Sequence, residues 1–232
     1  MIAPASRVPP SLAAALVALA AGFLPGVPAY AGVVEVQVSL PVPQKIDVTG
    51  MRRVLIAGFR ANDSPDLDVD VEYVRHLRSL LRHRSNFEII DADAPPLPEQ
   101  ELADVVRNSA YWKRIAQRFS VDLIIAGVVD FEKLDKSGFV SEDIISPATG
   151  QRYRRTRYAE REAFNLAVTH YFFKGSTGEE LYEGRLTEES VYEGRGNDPL
   201  TALQQLADRM APEIMGIVMS REKSETRYLF TE

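Results

Sequence analysis

Val121-Asp-Leu-Ile-Ile-Ala-Gly-Val-Val-Asp-Phe131 is the stretch that decides the fold. An apolar run of this length, with an acid only near each end, suits a β-strand covered on both faces. A strand of that kind lies inside a sheet layered between other elements. Arg53-Val-Leu-Ile-Ala-Gly-Phe59 has the same character and is expected beside it, in the interior of the sheet. Between the two, Tyr73, Val74, Leu77, Leu80 and Leu81 recur at helical spacing. Arg75, Arg78 and Arg82 fall on the opposite face, and with His76 and His83 they read as a solvated helix surface. Asp68 and Asp70 at the start of this helix, and Arg82, His83 and Arg84 at its end, complement the helix dipole. A short strand at 87–90, a stiff Pro-rich loop at 94–98 and a helix over 99–119 follow. That helix is expected to break near Asn108-Ser109, with Trp112, Ile115, Ala116 and Phe119 on its buried side.

Downstream, the pattern changes to antiparallel. Phe164, Leu166, Val168, His170 and Phe172 alternate with Asn165, Ala167, Thr169 and Tyr171. A tight turn at 174–178 returns the chain through 179–192 as the partner strand. Leu200, Leu203, Leu206, Ala207, Met210, Ile214, Ile217 and Val218 form a last helix, which Pro212 should kink. Upstream, Val34, Val36, Val38 and Leu40 alternate with polar residues as a half-buried strand ended by Pro41 and Pro43. The tail carries Tyr228-Leu-Phe230, a candidate edge strand. The fold class is therefore α/β (α+β): a mixed sheet packed with helices, and a β-hairpin projecting from it at 132–161.

The first residues form an address rather than part of that body. Arg7 precedes the apolar run Leu12 to Leu24, Pro25 and Pro28 break it, and Ala29-Tyr-Ala31 offers small residues to a signal peptidase. A run of about 13 residues falls short of the roughly 20 needed to span a bilayer. Cleavage is expected between Ala31 and Gly32, placing the mature chain in the periplasm or at the outer membrane, with no direct membrane span. The expected organisation is a leader at 1–31, an N-terminal strand and arm at 32–50, one domain at 51–220 and a tail at 221–232. There is no cysteine, so neither disulfides nor a lipid anchor on cysteine enter. The chain has 27 lysines and arginines against 33 aspartates and glutamates, a net charge of −6. Removal of Arg7 with the leader makes the rest one unit more acidic. An acidic exported chain is a poor partner for nucleic acid.

The residue patterns that announce catalysis are missing. The acidic stretch Asp63, Asp66, Asp68, Asp70, Glu72 lacks the glycine and the bidentate glutamate of a calcium loop. Counted from Asp66, those places hold Val71 and Leu77, so the acids read as a helix start. His76 and His83 stand two helical turns apart, too far to share a metal. No serine sits in a G-x-S-x-G elbow, and no phosphate loop occurs; Gly194-Arg-Gly196 reads as a turn. Glu179-Glu180 and Glu188-Glu189 are neighbours on predicted strands and point to opposite faces. No catalytic residue, cofactor or metal is expected. An envelope enzyme would instead need a pocket that gathers His170 or the carboxylates between Glu179 and Glu189.

The projecting hairpin carries the one concentrated signal. Gln151-Arg-Tyr-Arg-Arg-Thr-Arg-Tyr158 holds four arginines and two tyrosines in eight residues. On a strand, Arg152, Arg154, Thr156 and Tyr158 share one face, and Tyr153, Arg155 and Arg157 share the other. Arginine and tyrosine dominate interface hot spots, which makes these six side chains the candidate interaction residues. Charges on both faces argue against a membrane-spanning hairpin.

Val121 to Phe131, Ser137-Gly138, Phe164-Asn-Leu-Ala-Val168 and Gly175-Ser-Thr-Gly-Glu-Glu-Leu-Tyr182 together resemble the CsgG family of curli-secretion proteins. The stretch from Val168 to Leu181 is similar to that family's "V-x-x-x-T/S-G-E-x-L" turn after a long strand. The same domain type resembles the amino-terminal domain of TolB and the outer-membrane lipoprotein activators of penicillin-binding proteins. The resemblance covers roughly residues 50–220. It implies a periplasmic α/β domain, non-catalytic work as a scaffold, activator or secretion pore, and frequent assembly into rings. The chain departs from pore-forming members in two ways. It lacks the anchoring cysteine, and its 132–160 hairpin is too charged to line a barrel. The expectation is a self-associating scaffold or assembly protein with partners in the cell envelope. The alternatives are a subunit of a curli-type secretion channel and an activator of a peptidoglycan synthase.

Overall fold

The computed structural model describes residues 32–62, 64, 67–93, 95, 97–98 and 100–231. The leader lies outside them, as do Asp63 and Asp66 of the acidic stretch and parts of the Pro-rich loop. Two units make up the chain: one from Ser39 to Lys223, the other from the two ends, up to Val38 and from Ser224.

The larger unit is built on a five-stranded mixed sheet in the order β3-β2-β4-β7-β8. These strands are β2 (Arg53–Ala61), β3 (Glu88–Ile89), β4 (Leu123–Asp135), β7 (Arg161–Lys174) and β8 (Glu180–Glu193). As the sequence implies, β4 is central. It runs parallel to β2 and antiparallel to β7. Asp122 fixes the start of the parallel pair by accepting the backbone N–H groups of Arg52 and Arg53, each at 2.9 Å. Those two donors hold its carboxyl below the usual range.

Helices cover both faces. α1 (Val69–Arg84) and α4 (Pro199–Val218) bury Tyr73, Leu77, Leu81, Leu203, Leu206 and Ile214 against Ile56, Leu123, Ile125, Phe164 and Val168. On the other face lie α2 (Leu102–Arg107) and α3 (Ser109–Phe119), which meet at Asn108. The break expected there has a physical cause: the Asn108 side chain accepts the Tyr111 N–H and caps α3. Trp112 stacks on Phe173 with ring centroids 4.0 Å apart and donates its indole N–H to the Val105 carbonyl. Pro212 does not interrupt α4, which runs unbroken from Pro199 to Val218.

The 174–178 turn locks the sheet to α3. Gly178 has φ +74°, and a Cβ there would strike the Ser109 carbonyl. Only glycine combines that backbone with that approach. Gly175 N–H meanwhile donates to the Asp122 carbonyl at 2.7 Å. The residues that carry the family resemblance are thus turn and packing residues.

At the chain ends, β1 (Gly32–Val42) pairs with β9 (Arg221–Thr231) as a two-stranded sheet. The edge strand expected at 228–230 is part of this longer strand, and β1 is its partner.

Candidate interaction surface

The projecting hairpin consists of β5 (Gly138–Ile145) and β6 (Arg152–Ala159), a separate two-stranded sheet. It is shorter than the 132–161 expected, because residues up to Asp135 still pair with β7 in the main sheet. At its base, Asp135 accepts the Ser137 N–H at 2.8 Å, and the Ser137 hydroxyl accepts the Arg161 N–H at 3.0 Å. Lys136 N–H donates to the Arg161 carbonyl at 3.0 Å. At its tip, Ser146 N–H bonds the Gln151 carbonyl at 2.9 Å and Gly150 N–H bonds the Ser146 carbonyl at 2.8 Å, closing the turn expected at Pro147 to Gly150.

The register runs from Gly138 opposite Ala159 to Ile145 opposite Arg152. Residues that face each other share a side of the ribbon. One side carries Phe139 with Tyr158, Ser141 with Thr156, Asp143 with Arg154 and Ile145 with Arg152. The other carries Val140 with Arg157, Glu142 with Arg155 and Ile144 with Tyr153. The six candidate residues therefore stand together on one strand, divided between its two faces as the alternation requires.

Their charges are only partly compensated. Arg157 bonds Glu142 at 2.8 Å and reaches Glu193 of β8 at 3.8 Å. Arg154 meets Asp143 at 3.2 Å on the exposed surface, where a pair contributes about 0–1 kcal/mol. Arg152 and Arg155 have no ion-pair partner among the described residues. The apolar side chains are exposed too: Phe139 by 80%, Ile145 by 58%, Tyr158 by 54% and Tyr153 by 50%. Phe139 and Tyr158 touch edge to face, centroids 5.6 Å apart.

The other sites considered from sequence serve the fold. His170 is wholly buried, with Nε2 2.6 Å from the Tyr73 hydroxyl and the Phe59 ring alongside. Burial alone drives its pKa down to about 4. It lines none of the three main grooves, and the Glu179–Glu189 carboxylates do not gather around it. His76 does not sit on a solvated face: it is half-buried, with Nε2 3.7 Å from Asp208 of α4, and burial lowers its pKa. Of the α1 arginines, Arg75 and Arg82 are exposed as their spacing suggests, and Arg78 is partly buried. Arg78 donates to the Ala92 carbonyl at 2.8 Å, and Arg82 grips the Asp91 carboxylate at 2.7 Å. Both line a groove of about 820 Å³ and tie Asp91 and Ala92 to α1. Among the described residues, no cluster of acids and histidines is placed to hold a metal.

Two features were not singled out from sequence. Glu162, beside a second groove, accepts the Asn197 N–H at 3.0 Å and Lys133 at 3.1 Å. Backbone donors at Gly196 and Asn197 hold its pKa down to about 2. It secures the 194–198 turn. The second feature is the place of β8, expected as a strand with its acids, at the end of the sheet: among the described residues its only strand partner is β7, and it carries five glutamates and one arginine. Acids on both faces of this strand are its sequence signal; its place at the end of the sheet has none.

No protein-family model matches the chain, and no curated protein matches it. Solved structures are similar at low identity. The PelC dodecamer from Paraburkholderia phytofirmans is 10% identical over 76% of this chain and 96% of that one, TM-score 0.36. Lipoprotein GNA1162 from Neisseria meningitidis is 13% identical over 70% and 97%, TM-score 0.36. The C-terminal domain of LpoB from Salmonella enterica is 12% identical over 63% and 84%, TM-score 0.34. All three TM-scores lie below 0.5, and none of these likenesses bears on function. Among the described residues no helix is long and apolar enough to cross a membrane.

Proposed function

We propose that the chain is a non-enzymatic component of the cell envelope that works by protein–protein contact and associates with copies of itself through the β5–β6 arm. The observation that carries this is the arm's composition against its architecture. An isolated two-stranded ribbon is at best marginally stable in water. This one nonetheless presents Phe139, Ile145, Tyr153 and Tyr158 to solvent beside four arginines. Exposed apolar groups rimmed by charge mark contact surfaces, and aromatic and arginine side chains supply most of the energy of such contacts. The leader-like segment at 12–31 supports an extracytoplasmic site of action.

The curli-type channel reading has less support. One face of the arm carries Asp143 and Arg154, the other Glu142, Arg155 and Arg157, so neither could meet hydrocarbon. The activator reading differs only in its partner and would use the same arm.

A photo-crosslinking phenylalanine analogue placed at Phe139 or Tyr158 tests the proposal on the purified chain from residue 32. Crosslinked dimers and larger species are expected from these positions and not from Val71, an exposed position on α1. Monomer alone from the arm positions, at every concentration used, would overturn it.

A further inference from the structure

The arm's complement is on the same chain. β6 carries Arg152, Arg154, Arg155 and Arg157 and no acid. β8 carries Glu180, Glu183, Glu188, Glu189 and Glu193 against Arg185 alone. The net charges are equal and opposite, +4 on β6 and −4 on β8. Among the described residues β6 pairs only with β5 and β8 only with β7, which leaves one side of each without a strand neighbour. Each therefore has an edge that no other strand occupies, the kind that recruits one, and on β8 the Glu189 carbonyl accepts from Arg209 at 3.2 Å.

Part of each charge is already spent within the chain. Arg154 meets Asp143, Arg157 meets Glu142 and Glu193, and Lys136 meets Glu189 at 3.5 Å. Arg152 and Arg155 on one strand, and Glu180 and Glu188 on the other, have no ion-pair partner among the described residues. Negative charge is crowded at the start of β8, where burial and the neighbouring Glu183 raise the Glu180 pKa.

These groups do not pair with one another among the described residues. Arg157 touches Glu193 where the arm leaves the sheet. From that point β6 runs outward, and Arg152 is five residues further along. β8 runs inward, and Glu188 is five residues back. At about 3.3 Å per residue, each lies roughly 16 Å along its own strand from that contact.

We propose that β6 of one copy docks along the free edge of β8 in the next copy, with its arginines facing those glutamates. This rests on the self-association proposed above and names the surface that receives the arm. The contact joins two different surfaces, so it is head to tail. It leaves an unused arm at one end and an unused β8 at the other, and it propagates into a ring or a filament rather than stopping at a dimer.

Charge reversal on each surface tests it. Arg152→Glu with Arg155→Glu reverses the arm, and Glu188→Lys with Glu189→Lys reverses the edge. Each variant should associate at least ten-fold more weakly than the unsubstituted chain by analytical ultracentrifugation, with the circular dichroism of the fold unchanged. An equimolar mixture of the two variants should reassemble, because each reversed arm then finds a reversed edge and each native arm a native edge. A chain carrying all four substitutions should assemble by itself. Failure of the mixture to reassemble, or indifference to the edge reversal, overturns the pairing and leaves self-association through the arm standing if the arm reversal still disperses the chain. Indifference to both reversals also overturns the pairing. A chain from residue 32 that is monomeric at every concentration overturns both proposals.

Discussion

Acidification from pH 7 to pH 4 should destabilise this protein through His170. The imidazole is wholly buried, and its Nδ1 has no hydrogen-bond partner among the described residues. Its other nitrogen contacts only the Tyr73 hydroxyl. A second proton would create a cation with two N–H donors and one acceptor, out of reach of water, and burial accordingly lowers the pKa from 6.5 to about 4. The sign follows from which state takes up the proton. Between pH 6.5 and 4 the unfolded chain binds a proton that the folded chain refuses, so stability falls with pH. The stabilisation is complete above 6.5, and its loss levels off below 4. At about 1.36 kcal/mol per pH unit, the whole depression corresponds to about 3 kcal/mol. His76, also lowered by burial, adds to the same window with the same sign. Urea unfolding at pH 7, 6, 5 and 4 measures the effect. In the double variant Tyr73→Phe/His170→Leu, which removes the titrating ring and the hydroxyl it would orphan, most of the slope should vanish. An unsubstituted chain equally stable at pH 7 and pH 4.5, or a double variant with the full slope, would refute the account of His170 as an obligatorily neutral core residue.

Two further outcomes follow from the fold. Gly178→Ala forces an L-residue to φ +74° and drives a methyl group into the Ser109 carbonyl. It should cost at least about 1–2 kcal/mol, read as a lower thermal midpoint, and an unchanged midpoint would refute the packing given for this turn. Glu162, with a folded pKa of about 2, contributes stability that is present above pH 4.5 and lost as the pH falls toward 2. Glu162→Gln should flatten that acid limb in denaturant titrations, and a limb of unchanged steepness would assign it to the other lowered carboxylates, such as Asp122 and Glu213.

The parts of the structure legible in the sequence are those where one local rule decides the outcome. β4 was legible because its unbroken apolar run fits only the interior of a layered sheet. The division of α2 from α3 was legible because Asn108 is a capping residue inside a helical pattern. The two faces of the arm followed from alternation alone. What escaped was set by distant contacts. Nothing near His76 announces Asp208, 132 residues later in the chain, so a half-buried histidine read as a solvated one. Arg78 looked like a surface charge because its acceptor, the Ala92 carbonyl, is in the loop after β3. β9 lacks the apolar alternation of a half-buried strand; its run Glu222-Lys-Ser-Glu-Thr-Arg227 reads as a polar tail until β1 lies beside it. The arm's starting point was hidden as well, since Asp135 and Ser137 close the main sheet with hydrogen bonds that no periodicity reveals. The arm's residues were visible from sequence, and their partner surface was not, because the charge of β8 acquires meaning only when the strand is seen to end the sheet.

The central claim is that this polypeptide acts by lending its arm to other copies. Sedimentation velocity on the chain from residue 32, over a hundred-fold range of concentration, beside the same chain with residues 138–159 replaced by a short turn, measures that claim most directly. The β4–β7 pairing, from Leu123 with Lys174 to Asp135 with Glu162, is complete without the arm, so the shortened chain should stay folded. The account predicts concentration-dependent species heavier than one chain for the first protein and a folded monomer for the second. A monomer in both, or identical assembly in both, would contradict it.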